Sequence, residues 1–401
     1  MTRAHRLRLV PTADQEAYFR KASGVARFAY NWALAEWQRR YAAGEKPNEI
    51  ALRKVLNAIK HEQFPWMGEV TKNAPQQAIK SLGRAYANFF EDLKKYRRSE
   101  MPWKRVRVPK SKKKGKSRDS FRADNGTDKQ HPDAVAVDGK RVKLPVIGWV
   151  RMREEVRFAG QIVSVTVSRE ADAWYASFTI EAPEEPVAHV LANTVGVDLG
   201  VSALATRSDD VPKTPAPKPL RRYLKKLQRL SRALSRKQRG SNNRAKAKTT
   251  LARLHARIRH IRQDALHTLT TDLVRTAATI VIEDLNVAGM LANRHLSRAI
   301  ADLGFFEFRR QLEYKTAMAG GALIVADRWF PSSKRCSVCD TKNETLKLSD
   351  RDWTCLSCGT THDRDENAAV NLARYPESWA GSACGAEGAG RRRQTTVKPA
   401  A

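Results

Sequence analysis

Four of the five cysteines stand in two Cys-x-x-Cys pairs, Cys336/Cys339 and Cys355/Cys358, with fifteen residues between the pairs. A tight turn at each pair presents two thiolates to one ion, and two such turns close a tetrahedral site. This spacing reads as a structural zinc centre with no open position for chemistry. Five cysteines in 401 residues are too few for a disulfide scaffold, and Cys384 stands outside the set as a bystander. Three carboxylates form a second set. Asp198 lies within an otherwise apolar stretch before Gly200, Glu283 ends Ile280-Val-Ile-Glu283, and Asp365 lies in Asp363-Arg-Asp365-Glu-Asn367, which opens a helix. A carboxylate beside a core strand needs a cation, a set of hydrogen bonds or a metal. Any one of the three could instead cap a helix or join a surface ion pair, but together they could hold two divalent ions.

The elements that must position these residues follow from periodicity. Arg6-Leu-Arg-Leu-Val10 alternates as a strand, and residues 13 to 98 space Phe28, Trp32, Ile79, Leu82, Tyr86 and Phe89 for helices, one of them near 74 to 96. Lys110 to Arg118 is a basic low-complexity loop, expected to be solvated and mobile. Between 134 and 181 the period becomes two, an antiparallel unit that the first strand is expected to join, making the helices an insertion. Residues 181 to 186 read as a linker, and Val195 to Leu204 as one buried strand. A helical hairpin follows around Gly240, then another helix and a strand at 279 to 283. A helix near 303 to 318 and a strand at 321 to 326 come next, and the tail beyond 376 is Gly-, Ala- and Arg-rich.

Charge narrows the partners. Lysine and arginine number 74 against 42 acidic residues, a net charge of +32, which calls for a polyanion. Residues 221 to 262 carry 16 Lys or Arg and no acid; so many like charges repel unless phosphates neutralise them. Arg221, Arg222, Lys225, Lys226 and Arg229 are the candidate contacts. No apolar run reaches membrane-span length, and the amino terminus lacks the apolar core of a secretory signal, so a cytoplasmic location is expected.

Val197-Asp198-Leu-Gly-Val, Ile282-Glu283-Asp-Leu-Asn and the cysteine pairs followed by His362-Asp-Arg-Asp365-Glu-Asn-Ala-Ala resemble, in order, the three RuvC motifs of the TnpB family, transposon-encoded RNA-guided nucleases related to type V CRISPR effectors. Leu9 to Gln15 and Arg27 to Leu34 resemble the family's opening. The resemblance implies an α+β multidomain chain. Its parts would be a β-barrel-like wedge domain (1–12 and 100–185), a helical recognition domain (13–99), an RNase H-like nuclease domain (190–330 and 361–375), an inserted zinc ribbon (331–360) and a disordered tail (376–401). It further implies that Asp198, Glu283 and Asp365 hold two Mg²⁺ ions for phosphodiester hydrolysis, with Asp365 rather than Asp363 as the catalytic member of its pair. The partners would be a guide RNA and target DNA on the nucleoid, recognised through backbone and A-form shape. A short motif flanking the target would be read by residues such as Gln76, Gln77, Lys80, Ser120 and Arg122. A small type V CRISPR effector and a non-cleaving RNA-guided repressor are the alternatives; the complete acidic trio disfavours the repressor.

Overall fold

The computed structural model describes residues 2–125, 134–183, 193–347 and 349–380. They fall into two compact units, Met1–Glu185 and Pro186–Ala401.

The first unit opens with β1 (Thr2–Val10) and continues through α1 (Ala13–Ala42), α2 (Glu49–Gln63) and α3 (Asn73–Arg97). Then come β2 (Ser120–Asp124), β3 (Ala136–Asp138), β4 (Arg141–Leu144), β5 (Gly148–Met152), β6 (Gln161–Glu170) and β7 (Ala173–Glu181). The strands form one antiparallel row, β2-β6-β7-β1-β5-β4-β3. The chain's first strand is therefore central, pairing β7 through Thr2 to Arg8 and β5 through Leu9 and Val10, and the helices are inserted between it and the rest of the sheet. Helix α1 starts where Thr12 and Gln15 exchange side-chain and backbone hydrogen bonds. Its Phe19, Ala22 and Ala26 share a core with Ile79 and Leu82 of α3 and with Phe121 and Trp174 of the sheet. The basic loop is pinned at one point, against expectation. The Asn31 amide donates to the Lys112 carbonyl (2.9 Å) and accepts from its N–H (2.8 Å), and the Lys112 ammonium lies 4.0 Å from the Tyr30 ring centre.

The second unit runs β8 (Thr194–Asp198), β9 (Ala203–Arg207), β10 (Thr214–Pro215), α4 (Pro219–Ser235), α5 (Asn242–Thr276) and β11 (Thr279–Glu283). It continues through α6 (Val287–Ala292), α7 (Ser297–Leu303), α8 (Phe305–Ala319), β12 (Ala322–Ala326), β13 (Asp352–Thr354), β14 (Thr361–Asp363) and α9 (Arg364–Ala380). The main sheet has the order β10-β9-β8-β11-β12, with β8, β11 and β12 parallel. Its near-continuous apolar strands fit burial on both faces. One face packs Val195, Val197, Ile280 and Ile282 against Leu266, Leu269 and Leu273 of α5 and Phe308 and Leu312 of α8; the other packs Val281 against Leu372 and Tyr375 of α9.

Three sequence expectations are corrected here. Residues 195 to 204 are not one strand: the chain turns after Asp198, through Leu199 to Ser202, and β9 returns antiparallel with Asp198 opposite Thr206. The hairpin's second helix and the further helix expected after it are one, α5, running unbroken to Thr276, because 242 to 276 holds no Gly or Pro to end it. Helix α9 extends through Ala380, into the segment expected to be disordered; the rest of that tail, Cys384 included, and residues 184–186 of the expected linker lie outside the described residues. Among the described residues no helix is long and apolar enough to cross a membrane.

Candidate active site and metal centre

Asp198 and Glu283 end neighbouring parallel strands. Strand β11 pairs β8 from Thr279 opposite Thr194 to Ile282 opposite Val197, which leaves both carboxylates at the carboxyl edge of the sheet, where α/β sheets bind ligands. Alternation along the strands sets their face: Glu283 is two residues beyond Val281, which packs on α9, and Asp198 two beyond Gly196. Gly196 lets α9 lie directly on the strand. A Cβ there would stand 2.0 Å from the Ala369 carbonyl oxygen and 2.4 Å from the Ala373 nitrogen. Asp365, one turn before Ala369, is thereby held toward the strand ends.

The three carboxylates feel one another. Burial, then the charges of Glu283 and Asp365, push the Asp198 carboxyl up from 3.8 to about 8. A partly buried set of oxygen donors that repel one another is suited to a hard divalent cation such as Mg²⁺. Glu283 Oε1 accepts from the Ser332 hydroxyl at 2.5 Å. Asp365 is 9% exposed, and Arg351 Nη1 lies 3.4 Å from both of its carboxylate oxygens. Asp363 is used differently. Its Oδ1 accepts from the Asp365 (2.9 Å) and Glu366 (3.0 Å) N–H groups, capping α9, and its Oδ2 accepts from Lys213 at 2.6 Å. Arg351, Lys213 and Ser332 carry no signal of spacing in the sequence. Arg351 reaches Asp365 only because β13 and β14 pair Asp352 with Asp363.

The four predicted thiols converge. Their sulfurs all lie within 4.8 Å of one another, and among the described residues no other group of three or more His, Cys, Asp or Glu side chains is as tight. Cys336 and Cys358 are 3.7 Å apart, Cys339 and Cys355 3.5 Å, close to the edge of about 3.8 Å that a Zn–S₄ tetrahedron requires. Each pair sits in the same turn. The N–H of Cys336 donates to the Thr341 carbonyl and that of Cys355 to the Thr360 carbonyl, and the fifth residue of each turn, Asp340 or Gly359, takes positive φ. Hydrogen bonds involving Thr341 and Thr360 lower the Cys339 and Cys358 thiols, favouring the thiolates that bind metal. No spacing in the sequence singles out His362, whose Nε2 lies 3.1 Å from Cys336 Sγ.

Of the candidate nucleic-acid contacts, Arg221, Arg222, Lys225, Lys226 and Arg229 are all exposed on α4, while Leu224, Leu227 and Leu230 turn toward α5. The buried Asp302 carboxylate anchors the hairpin's base, accepting from the Leu220 and Arg221 N–H groups (2.9 and 3.0 Å) and pairing with Arg262 at 3.2 Å. In the first unit, α3 packs on β2 and brings the other candidates together. Lys80 is exposed and Gln76, Ser120 and Arg122 half-buried, whereas Gln77 is buried with its amide on the Asp124 carboxylate, which also takes Arg122 at 2.7 Å.

A family model described as "Probable transposase" matches residues 177–294, one described as "Cas12f1-like, TNB domain" matches 305–372, and one described as "Helix-turn-helix domain" matches 1–46; that last stretch here is β1 and the single helix α1. A "Putative RNA-guided DNA endonuclease" of Streptomyces pristinaespiralis is 39% identical, covering 96% of this chain and 91% of its own length. The "Putative RNA-guided DNA endonuclease InsQ" of Escherichia coli (strain K12) is 34% identical, covering 92% and 91%. Among solved structures, a chain of the Cas12f1-sgRNA-target DNA complex aligns over 93% of this chain and 98% of its own length with a TM-score of 0.51 at 15% identity, a likeness of fold. With such identity across nearly the whole length, the chain belongs to the TnpB family.

Proposed function

We propose that this chain is an RNA-guided DNA endonuclease that hydrolyses phosphodiesters at Asp198, Glu283 and Asp365. The observation that carries the chemistry is the Asp198 carboxyl, driven up to about 8 by burial and then by the charges of Glu283 and Asp365, an arrangement suited to divalent cations. Bound there, two Mg²⁺ ions would supply an activated water and charge stabilisation at the leaving oxygen. The chain's own groups position: Ser332 orients Glu283, Asp363 and Lys213 fix the start of α9, and Arg351 offers a cation beside Asp365 to a phosphate. The four thiols hold structural zinc.

On this reading the first unit is the wedge domain with its helical recognition insertion, and the second is an RNase H-like nuclease with the zinc ribbon before its last acid. The exposed basic face of α4 tracks guide RNA or the RNA–DNA duplex by its backbone. Gln76, Gln77, Lys80, Ser120 and Arg122 face the short motif beside the target, with Gln77 acting through Asp124. Relatives bearing the endonuclease name, matched over 91% of their length, and the transposase description favour the transposon nuclease over a CRISPR effector. The enzyme would act in the cytoplasm, on nucleoid DNA.

The test is cleavage of a matched duplex by protein purified with its co-expressed RNA. Wild type cuts in Mg²⁺; Asp198→Ala, Glu283→Ala and Asp365→Ala bind but do not cut, and Asp363→Ala is slowed less. Wild-type protein that binds matched DNA in Mg²⁺ and never cuts is a repressor, and the proposal is then wrong.

A further inference from the structure

A cavity of about 430 Å³ opens at the carboxyl edge of the second unit's sheet, and Glu283 is part of its wall. Its floor is apolar, from Leu199, the residue after Asp198, and from Phe305 at the start of α8. Its rim carries Phe306, Arg309, Arg310 and Arg328. The volume is that of a small-ligand site, and the mixture of an apolar floor with guanidiniums is what a nucleotide needs: a face for the base and donors for the phosphate.

Phe306 is 71% exposed although Phe305 beside it is buried. An aromatic ring held in solvent by a helix's first turn, at the mouth of a cavity, offers a stacking surface. Arg309 and Arg328 share one carboxylate, Asp284, at 2.9 and 2.6 Å, and each spends two of its five N–H donors on the contacts it makes. Donors remain on both for a phosphate oxygen. Arg310 is tied to Glu307 at 2.7 Å.

We propose that this cavity receives one unpaired nucleotide of the DNA strand being cut, the neighbour of the scissile phosphate, with its base on Phe306 and the apolar floor and its backbone against Arg309 and Arg328. The proposal rests on the nuclease reading above, because what fixes the occupant is continuity with the acidic site: Glu283, one of the three acids, also lines the cavity, so a strand whose phosphate reaches Glu283 can place an adjoining nucleotide beside Leu199. Stacking does not depend on base identity, so the pocket holds the strand in place without restricting which sequences are cut.

An abasic scan tests it. RNA-loaded protein is given matched duplexes with a single abasic site stepped along the cut strand around the cleavage position. Wild type should lose cleavage rate about ten-fold at one position beside the cut, as expected for one lost base–aromatic stack. Phe306→Ala should cut intact DNA about ten-fold more slowly with a flat scan, and Phe306→Trp should restore both. Separately, 2-aminopurine at that position, in complexes of Asp198→Ala that cannot cut, should be quenched and should brighten when Phe306→Ala is added. Intact DNA cut normally with a flat wild-type scan overturns the pocket and leaves the nuclease reading standing. If intact DNA is never cut, the nuclease reading fails, and the 2-aminopurine series still decides: quenching that Phe306→Ala relieves supports the pocket, and fluorescence indifferent to Phe306 refutes it.

Discussion

Gly196→Ala should disable the active site without touching any of its ligands. The added Cβ would stand 2.0 Å from the Ala369 carbonyl and 2.4 Å from the Ala373 nitrogen, both helix backbone, so no side-chain rotation relieves it. Reaching even a tight contact of 3.0 Å requires α9 to retreat from β8 by at least about 1 Å. Such overpacking costs about 1–3 kcal/mol, which in a unit of this size lowers the melting temperature by roughly 2–12 °C. Asp365 rides on the same helix, one turn before Ala369, and a displacement of about 1 Å in a reacting constellation costs about 100-fold in rate. Single-turnover cleavage by RNA-loaded protein, with melting followed by circular dichroism, checks both numbers. Gly24→Ala in α1, where nothing but Arg27 Nη2 at 4.0 Å meets the new Cβ, is the control and should melt no lower than wild type. A Gly196→Ala protein that cuts within two-fold of wild type would refute the link between helix seating and Asp365, whatever its melting temperature.

The other predictions rest on different parts of the molecule. Metal analysis should find one zinc per chain; Cys336→Ser or Cys355→Ser should lose it and lower the melting temperature, since binding at such a centre contributes directly to folding. Burial and two neighbouring carboxylates raise the Asp198 carboxyl in the folded chain, so stability from this group is complete below its ordinary value of 3.8 and is lost as pH climbs toward about 8. Metal-free Asp198→Asn should therefore melt higher than metal-free wild type at pH 8, on the order of a few kcal/mol, and about equally near pH 4, while losing all cleavage; equal melting at both pH values would contradict the geometry. Reversing Arg222, Lys225, Lys226 and Arg229 to Glu should weaken RNA binding and reduce the slope of log affinity against log salt by roughly one per lost phosphate contact, with melting unchanged. An unaltered slope would remove α4 from the interface.

What could be read from the sequence was whatever depends on spacing along the chain. The two Cys-x-x-Cys turns, the strand ending in Glu283 and the helix opening at Asp365 are local patterns, and each lies where the spacing put it. The turn after Asp198 escapes such a reading because Leu199, Val201 and Leu204 continue the apolar character of the strand and outweigh the turn residues Gly200 and Ser202 between them. Illegible altogether were contacts made by folding: Ser332 on Glu283 spans 49 residues and Lys213 on Asp363 spans 150. Gln77 shows the same limit. Its residue type suited a base edge, but its amide is spent on Asp124, a partner visible only once α3 lies against β2.

The place of the proposed zinc ribbon in the chain, immediately before the last acid, follows from how α9 grips it. Asn367 and Asn371, two and six residues beyond Asp365, both donate from Nδ2 to the Arg335 carbonyl (2.8 and 2.6 Å) and to the Ser332 carbonyl (3.4 and 2.7 Å), and the Ser337 N–H donates to Asn367 Oδ1 at 2.9 Å. Both amides are buried, where an unpaired polar group would cost about 1–3 kcal/mol, so the clamp holds the segment in one place. That segment carries Cys336, one of the four converging thiols, at one end and Ser332, whose hydroxyl meets Glu283, at the other. On the far side of the ribbon, His362 reaches Cys336 Sγ and is followed at once by the Asp363 cap and Asp365. The Cys336 turn thus joins the helix bearing one acid to the hydroxyl that meets another, and a zinc held there would help to fix carboxylates contributed by three separate elements.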